Sequence, residues 1–162
     1  MKGKALILSV TFLVFCDQIS KWYVQKLLKV EHFLKIFPFF HLVKAWNSGV
    51  SWGFLAGPLP WKKEMMITLN ILICFFFINL YFKSRRFSQK IGLITILSGA
   101  IGNTLDRFLY GSVFDFLFLH WGKWHFPVFN VADILISIGF LMMLRDHYQW
   151  NYLKKSKNTS PA

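Results

Sequence analysis

Four long apolar segments constrain the fold of this chain more than any other feature of its sequence. They cover about residues 5–28, 65–82, 91–108 and 130–148, and a helix needs about 20 mostly apolar residues to cross a bilayer. The composition agrees, because 16% of the residues are charged, whereas soluble domains usually have about 25%. We therefore predict an all-α integral membrane protein with four transmembrane helices, in a single membrane-embedded domain over residues 1–155.

The basic residues predict how these helices are oriented. The loop between the second and third segments contains Lys83, Arg85, Arg86 and Lys90, and lysines also lie near both ends of the chain. Four spans place these groups on one side of the membrane, which the positive-inside rule identifies as cytoplasmic. The net charge of +12 therefore indicates membrane topology and contact with anionic lipid headgroups rather than nucleic-acid binding.

The segments between the helices divide accordingly. Residues 29–64 and 109–129 form the outer, periplasmic segments, and the polar residues 156–162 form a disordered cytoplasmic tail. The outer segments also carry lysines, so the denser loop at 83–90 decides the orientation. Both are rich in aromatic residues, which favour the headgroup level, and short strands are expected at about 39–46 and 113–119.

Histidines and cysteines give no sign of a metal site or a disulfide framework. The five histidines are scattered along the chain. Cys16 and Cys74 each lie inside an apolar run with no metal-type spacing, and they are expected to behave as small buried hydrophobic residues.

The acidic residues are few and unusually placed. Four of the seven, Asp17, Asp106, Asp115 and Asp133, lie within apolar segments or near their predicted outer ends. A carboxylate at membrane depth is costly unless it is paired or hydrated, so each is a candidate functional residue. In the predicted topology all four fall in the outer half of the membrane or at its outer surface, which indicates one common site.

Asparagines accompany two of these aspartates at helical spacing. Asn103 and Asp106 are three residues apart, as are Asn130 and Asp133, so each pair shares a helix face. Asn130 is also a suitable N-cap for the fourth helix, and Asp133 in its first turn is favoured by the helix dipole.

Two carboxylates that meet in a partly dry site indicate aspartic-protease chemistry. Such a pair shares a proton, because two adjacent like charges cannot both ionise easily. The ionised member activates a water and the protonated member polarises the scissile carbonyl. No HExxH motif is present, so the sequence gives no sign of a metal-dependent hydrolytic route.

Two other function classes are open at this point. A small transporter or channel also uses buried acids, but it predicts polar residues through the depth of the bundle, often in inverted repeats, and neither is present. A non-enzymatic assembly factor with buried ion pairs gives no reason for the two outer aspartate segments.

Five segments in order resemble the signature blocks of lipoprotein signal peptidases. They are residues 17–21, 47–53, 102–107, 113–116 and 129–133, which read DQISK, NSGVSWG, GNTLDR, VFDF and FNVAD. The aromatic run at 120–127, HWGKWHFP, also resembles the family. The resemblance extends over about residues 5–145, which is nearly the whole chain.

The resemblance implies roles for individual residues. The catalytic aspartates of the family correspond to Asp115 and Asp133. Its supporting and substrate-binding residues correspond to Asp17, Lys21, Asn47, Asn103, Asp106, Arg107 and Asn130. Trp52 departs from the family pattern, in which Phe is commoner, and it lies in the 47–60 loop expected to cover the substrate.

The resemblance also implies a fold, a substrate and a location. The fold would add a small periplasmic β-cradle and a short amphipathic surface helix to the four helices. The substrate would be a diacylglyceryl-modified bacterial prolipoprotein, cut just before its lipidated cysteine at the periplasmic side of the inner membrane. No metal or organic cofactor would be needed, the enzyme would be a monomer in contact with membrane lipids, and globomycin-type cyclic peptides would inhibit it.

Overall fold

Four helices and four strands make up the fold in the computed structural model, which describes residues 3–28, 33–49 and 61–159. The elements in chain order are α1 (Gly3–Leu27), β1 (Phe33–Phe37), β2 (Phe40–Asn47), α2 (Lys62–Lys83), α3 (Phe87–Tyr110), β3 (Val113–Trp121), β4 (Trp124–His125) and α4 (Val131–Thr159). Each predicted apolar segment coincides with one helix, because these runs are long and uninterrupted by proline.

Helix α4 is longer than the sequence predicted. It continues through Thr159, whereas the apolar pattern ended at about residue 148. The prediction of a disordered tail is therefore wrong for residues 156–159, and residues 160–162 lie outside the described part of the chain. Residues 149–159 contain neither glycine nor proline, so a polar composition alone does not end the helix.

Two of the helices are suited to crossing a membrane by length and composition alone. These are α1 and, in α2, residues Lys63–Lys83. Both expose large apolar side chains such as Phe12 and Phe75, a surface that lipid tolerates and water does not. Within the described residues, α3 and α4 do not meet the same criterion, so the count of four transmembrane helices stays a prediction.

Helix α3 is the centre of the bundle and packs against α1, α2 and α4. Its middle turns are buried, and small residues allow the neighbouring backbones to come close. A Cβ atom on Gly99 would overlap the backbone carbonyl of Ala132 in α4. Close approach at small residues is typical of helices that associate in membranes, and here it brings the start of α4 against α3.

The strands form one antiparallel sheet in the order β1-β2-β3-β4. Strands β2 and β3 confirm the strands predicted at 39–46 and 113–119, whereas β1 and β4 were not predicted. The sheet packs on the end of α1, where Phe114 and Phe116 form a buried cluster with Val24 and Leu28. The register pairs Ala45 with Asp115, which places the end of β2 beside the start of β3.

The predicted surface helix is not present in the described ranges, which exclude residues 50–60. Most of the 47–60 loop, including Trp52, therefore lies outside the description. The predicted combination of four helices with a small sheet is otherwise observed.

Candidate active site

Polar side chains from five elements converge where α1, α3 and the sheet meet the start of α4. They form two groups. The aspartate pair consists of Asp115 and Asp133, whose carboxylates are held by side-chain amides. The ion triad consists of Asp17, Lys21 and Asp106.

Asp115 is held by two side-chain amides on neighbouring elements. Asn47 Nδ2 donates to Asp115 Oδ2 at 3.0 Å and Asn130 Nδ2 donates to Asp115 Oδ1 at 2.6 Å. Asn47 is positioned by the ladder between β2 and β3, because Ala45, two residues earlier, is paired with Asp115 and alternate residues share a face. Asp115 is 3% exposed, so both amides offset the cost of burying its carboxyl group.

Asp133 is held by the cap of helix α4. The Asp133 N–H donates to Asn130 Oδ1 at 3.0 Å, and the Asn130 N–H donates to Asp133 Oδ2 at 3.1 Å. This reciprocal arrangement is a capping box, so it agrees with the predicted N-cap role of Asn130. Asn103 Nδ2 donates to the other carboxylate oxygen, Asp133 Oδ1, at 2.9 Å.

Two asparagines connect the aspartate pair. Asn130 Nδ2 donates to Asn103 Oδ1 at 3.1 Å, which completes a relay from Asp115 through Asn130 and Asn103 to Asp133. We call this chain the amide relay. Each oxygen of the two carboxylates accepts one bond from an amide or backbone N–H, which leaves a second lone pair on each for another partner.

The pKa of Asp115 is raised to about 6. Burial is the main cause, the negative charge of Asp133 adds to it, and the amides of Asn47 and Asn130 oppose it. A carboxyl group whose pKa is raised beside a second carboxylate in a shielded site is suited to sharing one proton with it near neutral pH.

The ion triad lies deeper, between α1 and α3. Lys21 Nζ is 2.8 Å from Asp17 Oδ2 and 2.8 Å from Asp106 Oδ2, and all three side chains are almost completely buried. Gln18 Nε2 also donates to Asp106 Oδ1 at 2.9 Å. Charges buried this deeply are tolerated only when they are paired and hydrogen-bonded in this way.

Each aspartate of the triad also holds the backbone beside one member of the aspartate pair. Asp17 Oδ1 accepts the N–H of Ala132 at 2.9 Å, next to Asp133. Asp106 Oδ2 accepts the N–H of Phe114 at 3.2 Å, next to Asp115. The triad thus fixes the backbone next to each member of the aspartate pair.

Lys21 and Gly102 complete the connection between the two groups. Lys21 Nζ donates to Asn103 Oδ1 at 3.3 Å, so the ammonium group contacts the amide relay directly. A Cβ atom on Gly102 would lie 2.5 Å from Asp17 Oδ2, so only glycine leaves room for that carboxylate.

Arg107 contacts the loop that follows β2. Its guanidinium group donates to the carbonyl oxygens of Asn103 and Gly49, each at 3.3 Å. The Gly49 N–H in turn donates to Asn47 Oδ1 at 3.0 Å. Arg107 therefore supports the segment that carries Asn47.

All nine residues predicted for the site lie in this region, and one contributor was missed. Gln18 bridges the triad and the Gly102 carbonyl. The sequence feature that points to Gln18 is a polar amide next to Asp17 inside an apolar segment. In the ranges 3–28, 33–49 and 61–159, no three side chains of His, Cys, Asp or Glu are arranged to hold a metal ion.

Two grooves on the sides of the bundle are lined in part by residues of this site. One, with a volume of about 540 Å³, is lined by α4 residues and by the segment after β4, and includes Asp133, Ile134 and Phe129. The other, of about 290 Å³, lies between α2, α3 and α4 and includes Asn103 and Arg107.

This chain is similar to proteins of one known family. The family model for signal peptidase (SPase) II matches residues 9–149. A lipoprotein signal peptidase of Histophilus somni (strain 2336) is 36% identical over 145 residues, which cover 88% of each chain. That of Polynucleobacter necessarius is 35% identical over 162 residues, covering 96% of this chain and 95% of the relative.

A third relative and two solved structures are also similar to this chain. The lipoprotein signal peptidase of Rickettsia felis is 35% identical over 138 residues, covering 84% of this chain and 70% of the relative. A structure described as a bacterial membrane enzyme matches with a TM-score of 0.79 at 26% identity, covering 99% of this chain and 94% of its own. A second, with the same description, has a TM-score of 0.76 at 26% identity, covering 89% and 92%.

Proposed function

Since this chain belongs to the signal peptidase II family, we propose that it processes prolipoproteins as an aspartic endopeptidase, with Asp115 and Asp133 as its catalytic residues. The observation that carries the aspartic mechanism is the amide relay, which joins two carboxylates from separate elements in a shielded site. The family membership makes the chain a membrane protease; the residues and the mechanism are the proposal.

The aspartate pair begins the reaction with one shared proton. The ionised carboxylate takes a proton from a water, and the water oxygen attacks the carbonyl carbon of the scissile peptide bond. The protonated carboxyl donates a hydrogen bond to the carbonyl oxygen, on which negative charge develops. A tetrahedral intermediate results.

The same two groups complete the cleavage. The carboxyl that received the water proton passes it to the leaving nitrogen, the carbon–nitrogen bond breaks, and the pair returns to its singly protonated state. The raised pKa of Asp115 supports this cycle, because a proton can be held on the pair and released from it near neutral pH.

The amides orient both carboxylates during these steps. Asn47 and Asn130 each bind one oxygen of Asp115, and Asn103 and the helix cap bind Asp133. Neutral donors hold the oxygens without neutralising them, so each carboxylate remains able to exchange a proton. We assign Asn47, Asn103 and Asn130 to positioning, together with Arg107 and the ion triad.

The proposed substrate is a prolipoprotein that carries diacylglycerol on the cysteine after the cleavage site. Its lipid chains and apolar signal segment would stay in the bilayer while the peptide bond enters the polar site. The apolar groove that includes Asp133 supports such an approach. Each buried CH₂ group contributes about 0.8 kcal/mol, so the lipid would hold the substrate at the required depth.

We further propose an inner-membrane location with four spans, both termini cytoplasmic and the aspartate pair towards the periplasm. The density of basic residues in the loop after α2 supports this orientation. One chain supplies every residue of the described site, which supports a monomer. Globomycin-type cyclic peptides are the expected inhibitors by family resemblance. The transporter alternative has no support, because the family is one of proteases.

The test is cleavage of a diacylglyceryl-modified prolipoprotein peptide by the purified protein in detergent. We expect Asp115→Asn and Asp133→Asn each to lower kcat by about 10³-fold or more, because an amide cannot exchange the proton. Asp146→Asn is the matched control, since Asp146 is a buried aspartate of α4 that pairs with Ser88 outside the site. Near-full activity in either folded site variant would refute the proposed pair.

A further inference from the structure

The far end of the sheet brings together histidines that are distant in sequence. His41 lies in β2, His120 in β3 and His125 in β4. His41 Nε2 and His120 Nε2 are 3.2 Å apart. The scattered positions predicted no metal site, but the pairing of β2 with β3 converts two of them into neighbours.

The spacing of the two nitrogens matches a chelating pair. Two metal–nitrogen bonds of about 2.0–2.1 Å at a tetrahedral angle place the ligand nitrogens about 3.3–3.4 Å apart. The observed 3.2 Å also fits a hydrogen bond between two neutral imidazoles. In such a hydrogen bond one Nε2 carries the proton, so binding an ion requires that ring to take its other neutral tautomer, with the proton on Nδ1.

Aromatic contacts limit the movement of both rings. The centroid of the His41 ring lies 6.0 Å from that of Phe33 and 6.3 Å from that of Phe118. The centroids of the Phe118 and His120 rings are 5.4 Å apart. The backbone N–H of His120 donates to the backbone carbonyl of Phe39 at 3.0 Å, which fixes the strand that carries the ring. The two imidazoles are thus preorganised, which lowers the entropy cost of binding an ion.

We propose that His41 and His120 form a binding site for a divalent transition-metal ion of the Zn²⁺ or Cu²⁺ class, with water as the remaining ligands. Two imidazole nitrogens suit these metals, whereas Mg²⁺ and Ca²⁺ require oxygen ligands. The site is separate from the aspartate pair, and it does not depend on the proposed proteolytic mechanism.

His125 is not a ligand in this site. Its ring is roughly parallel to that of His120, with an interplanar angle of 26° and a centroid distance of 6.2 Å. It also stacks on Phe118 at 5.8 Å. Stacked rings point their nitrogens outwards in their own planes rather than at one common ion, so His125 provides a matched control.

Lys35 tunes the affinity of the proposed site. It is the register partner of His41 in the β1–β2 ladder, and its positive charge repels a bound cation. The site is therefore of moderate affinity, and Lys35→Gln is expected to tighten it. This change cannot create a new ligand set on its own, because it removes a charge without moving an imidazole.

A bound ion would link the two strands that lead to the reaction site. Strand β2 carries Asn47 and strand β3 carries Asp115, and the histidines lie towards the opposite ends of this ladder. Binding to the folded state alone raises its stability, so Zn²⁺ is expected to raise Tm in the wild type.

The test uses the full chain without a histidine tag, stripped with EDTA and titrated with ZnCl₂ by calorimetry. We expect one Zn²⁺ to bind and Tm to rise. His41→Gln and His120→Gln should each lose both effects, His125→Gln should keep them, and Lys35→Gln should bind more tightly. Thermal unfolding without metal checks that each variant is folded.

A second measurement with Cu²⁺ identifies the ligands directly. Electron paramagnetic resonance of the wild type should report two imidazole nitrogens, and each single ligand variant should report fewer. Absence of binding in the wild type, or equal binding in the His41→Gln/His120→Gln double variant, would overturn the proposal. A loss in His125→Gln as large as that in His41→Gln would overturn the two-residue site.

Discussion

The ion triad and the aspartate pair hold two carboxylates each, a short distance apart, and they hold them differently. Asp17 and Asp106 share the ammonium group of Lys21. Asp115 and Asp133 are held by neutral amides and by a helix cap. A buried cation holds a carboxylate by an ion pair, whereas neutral donors orient a carboxylate and leave its proton exchangeable.

This difference distinguishes the structural role of the ion triad from the catalytic role proposed for the aspartate pair. The triad anchors the backbone of Ala132 and Phe114, and those residues precede the two proposed catalytic aspartates. The triad is therefore expected to matter for stability first and for rate through position. The aspartate pair is expected to matter for rate and to reduce stability, as active sites often do.

The largest expected effect is the removal of the cation from the triad. Lys21→Met leaves two buried carboxylates without their partner, which we expect to destabilise the fold by about 3–5 kcal/mol. Chemical denaturation in detergent measures this change. Lys4→Met is a control at an exposed position of the same helix. A destabilisation below about 1 kcal/mol would mean that the triad is not the anchor described here.

The next effect separates the two roles of Asn130. Asn130→Ser keeps a good helix N-cap but removes the amide that donates to Asp115 and Asn103. We expect kcat to fall about 10²-fold, as when one preorganised donor is lost. The thermal transition should shift less than in Asn130→Ala, which loses both roles. Equal losses of stability in the two variants would contradict the cap.

The same substitution should have opposite effects on stability in the two groups. Asp17→Asn weakens the triad and lowers stability, whereas Asp115→Asn removes a costly buried charge. The pKa of Asp115 is raised to about 6 from 3.8, so the folded state binds this proton more tightly and loses stability as pH rises through that window. At pH 8 we expect Asp115→Asn to be more stable than wild type by about 1–3 kcal/mol.

The pH dependence provides the control for that comparison. Near pH 4 the advantage of Asp115→Asn should almost vanish, because wild-type Asp115 is then protonated in the folded protein. Unfolding curves at the two pH values measure it. An advantage that does not change with pH would assign the effect to packing rather than to the carboxylate.

The smallest expected effect is a shift in the pH profile of cleavage. Wild-type activity should decline as pH rises above the region of pH 6, because the pair loses its shared proton. Asn47 stabilises ionised Asp115, so Asn47→Ala should move this decline upwards by about half to one pH unit, the equivalent of one hydrogen bond. A lower kcat with an unmoved profile would limit Asn47 to a structural role.

Much of the fold follows from local pattern. The helices form where apolar runs reach membrane length, and β2 and β3 form near the expected positions. The patterns were weaker for β1 and β4, which have five and two residues, too short for a periodic signal. Helix α4 outlasts its apolar segment because helix formation does not require apolar residues once the helix has begun.

The sequence by itself determined which side chains could do chemistry, because an aspartate in an apolar segment is costly and its asparagine neighbours at helical spacing are visible in the chain. It also determined the cap, since Asn130 and Asp133 act within one turn. Only the tertiary structure decided the partners: Asp17 with Ala132 across 115 positions, Lys21 between two aspartates, and His41 beside His120. Local patterns specify single elements, whereas strand register and helix packing decide which of them meet.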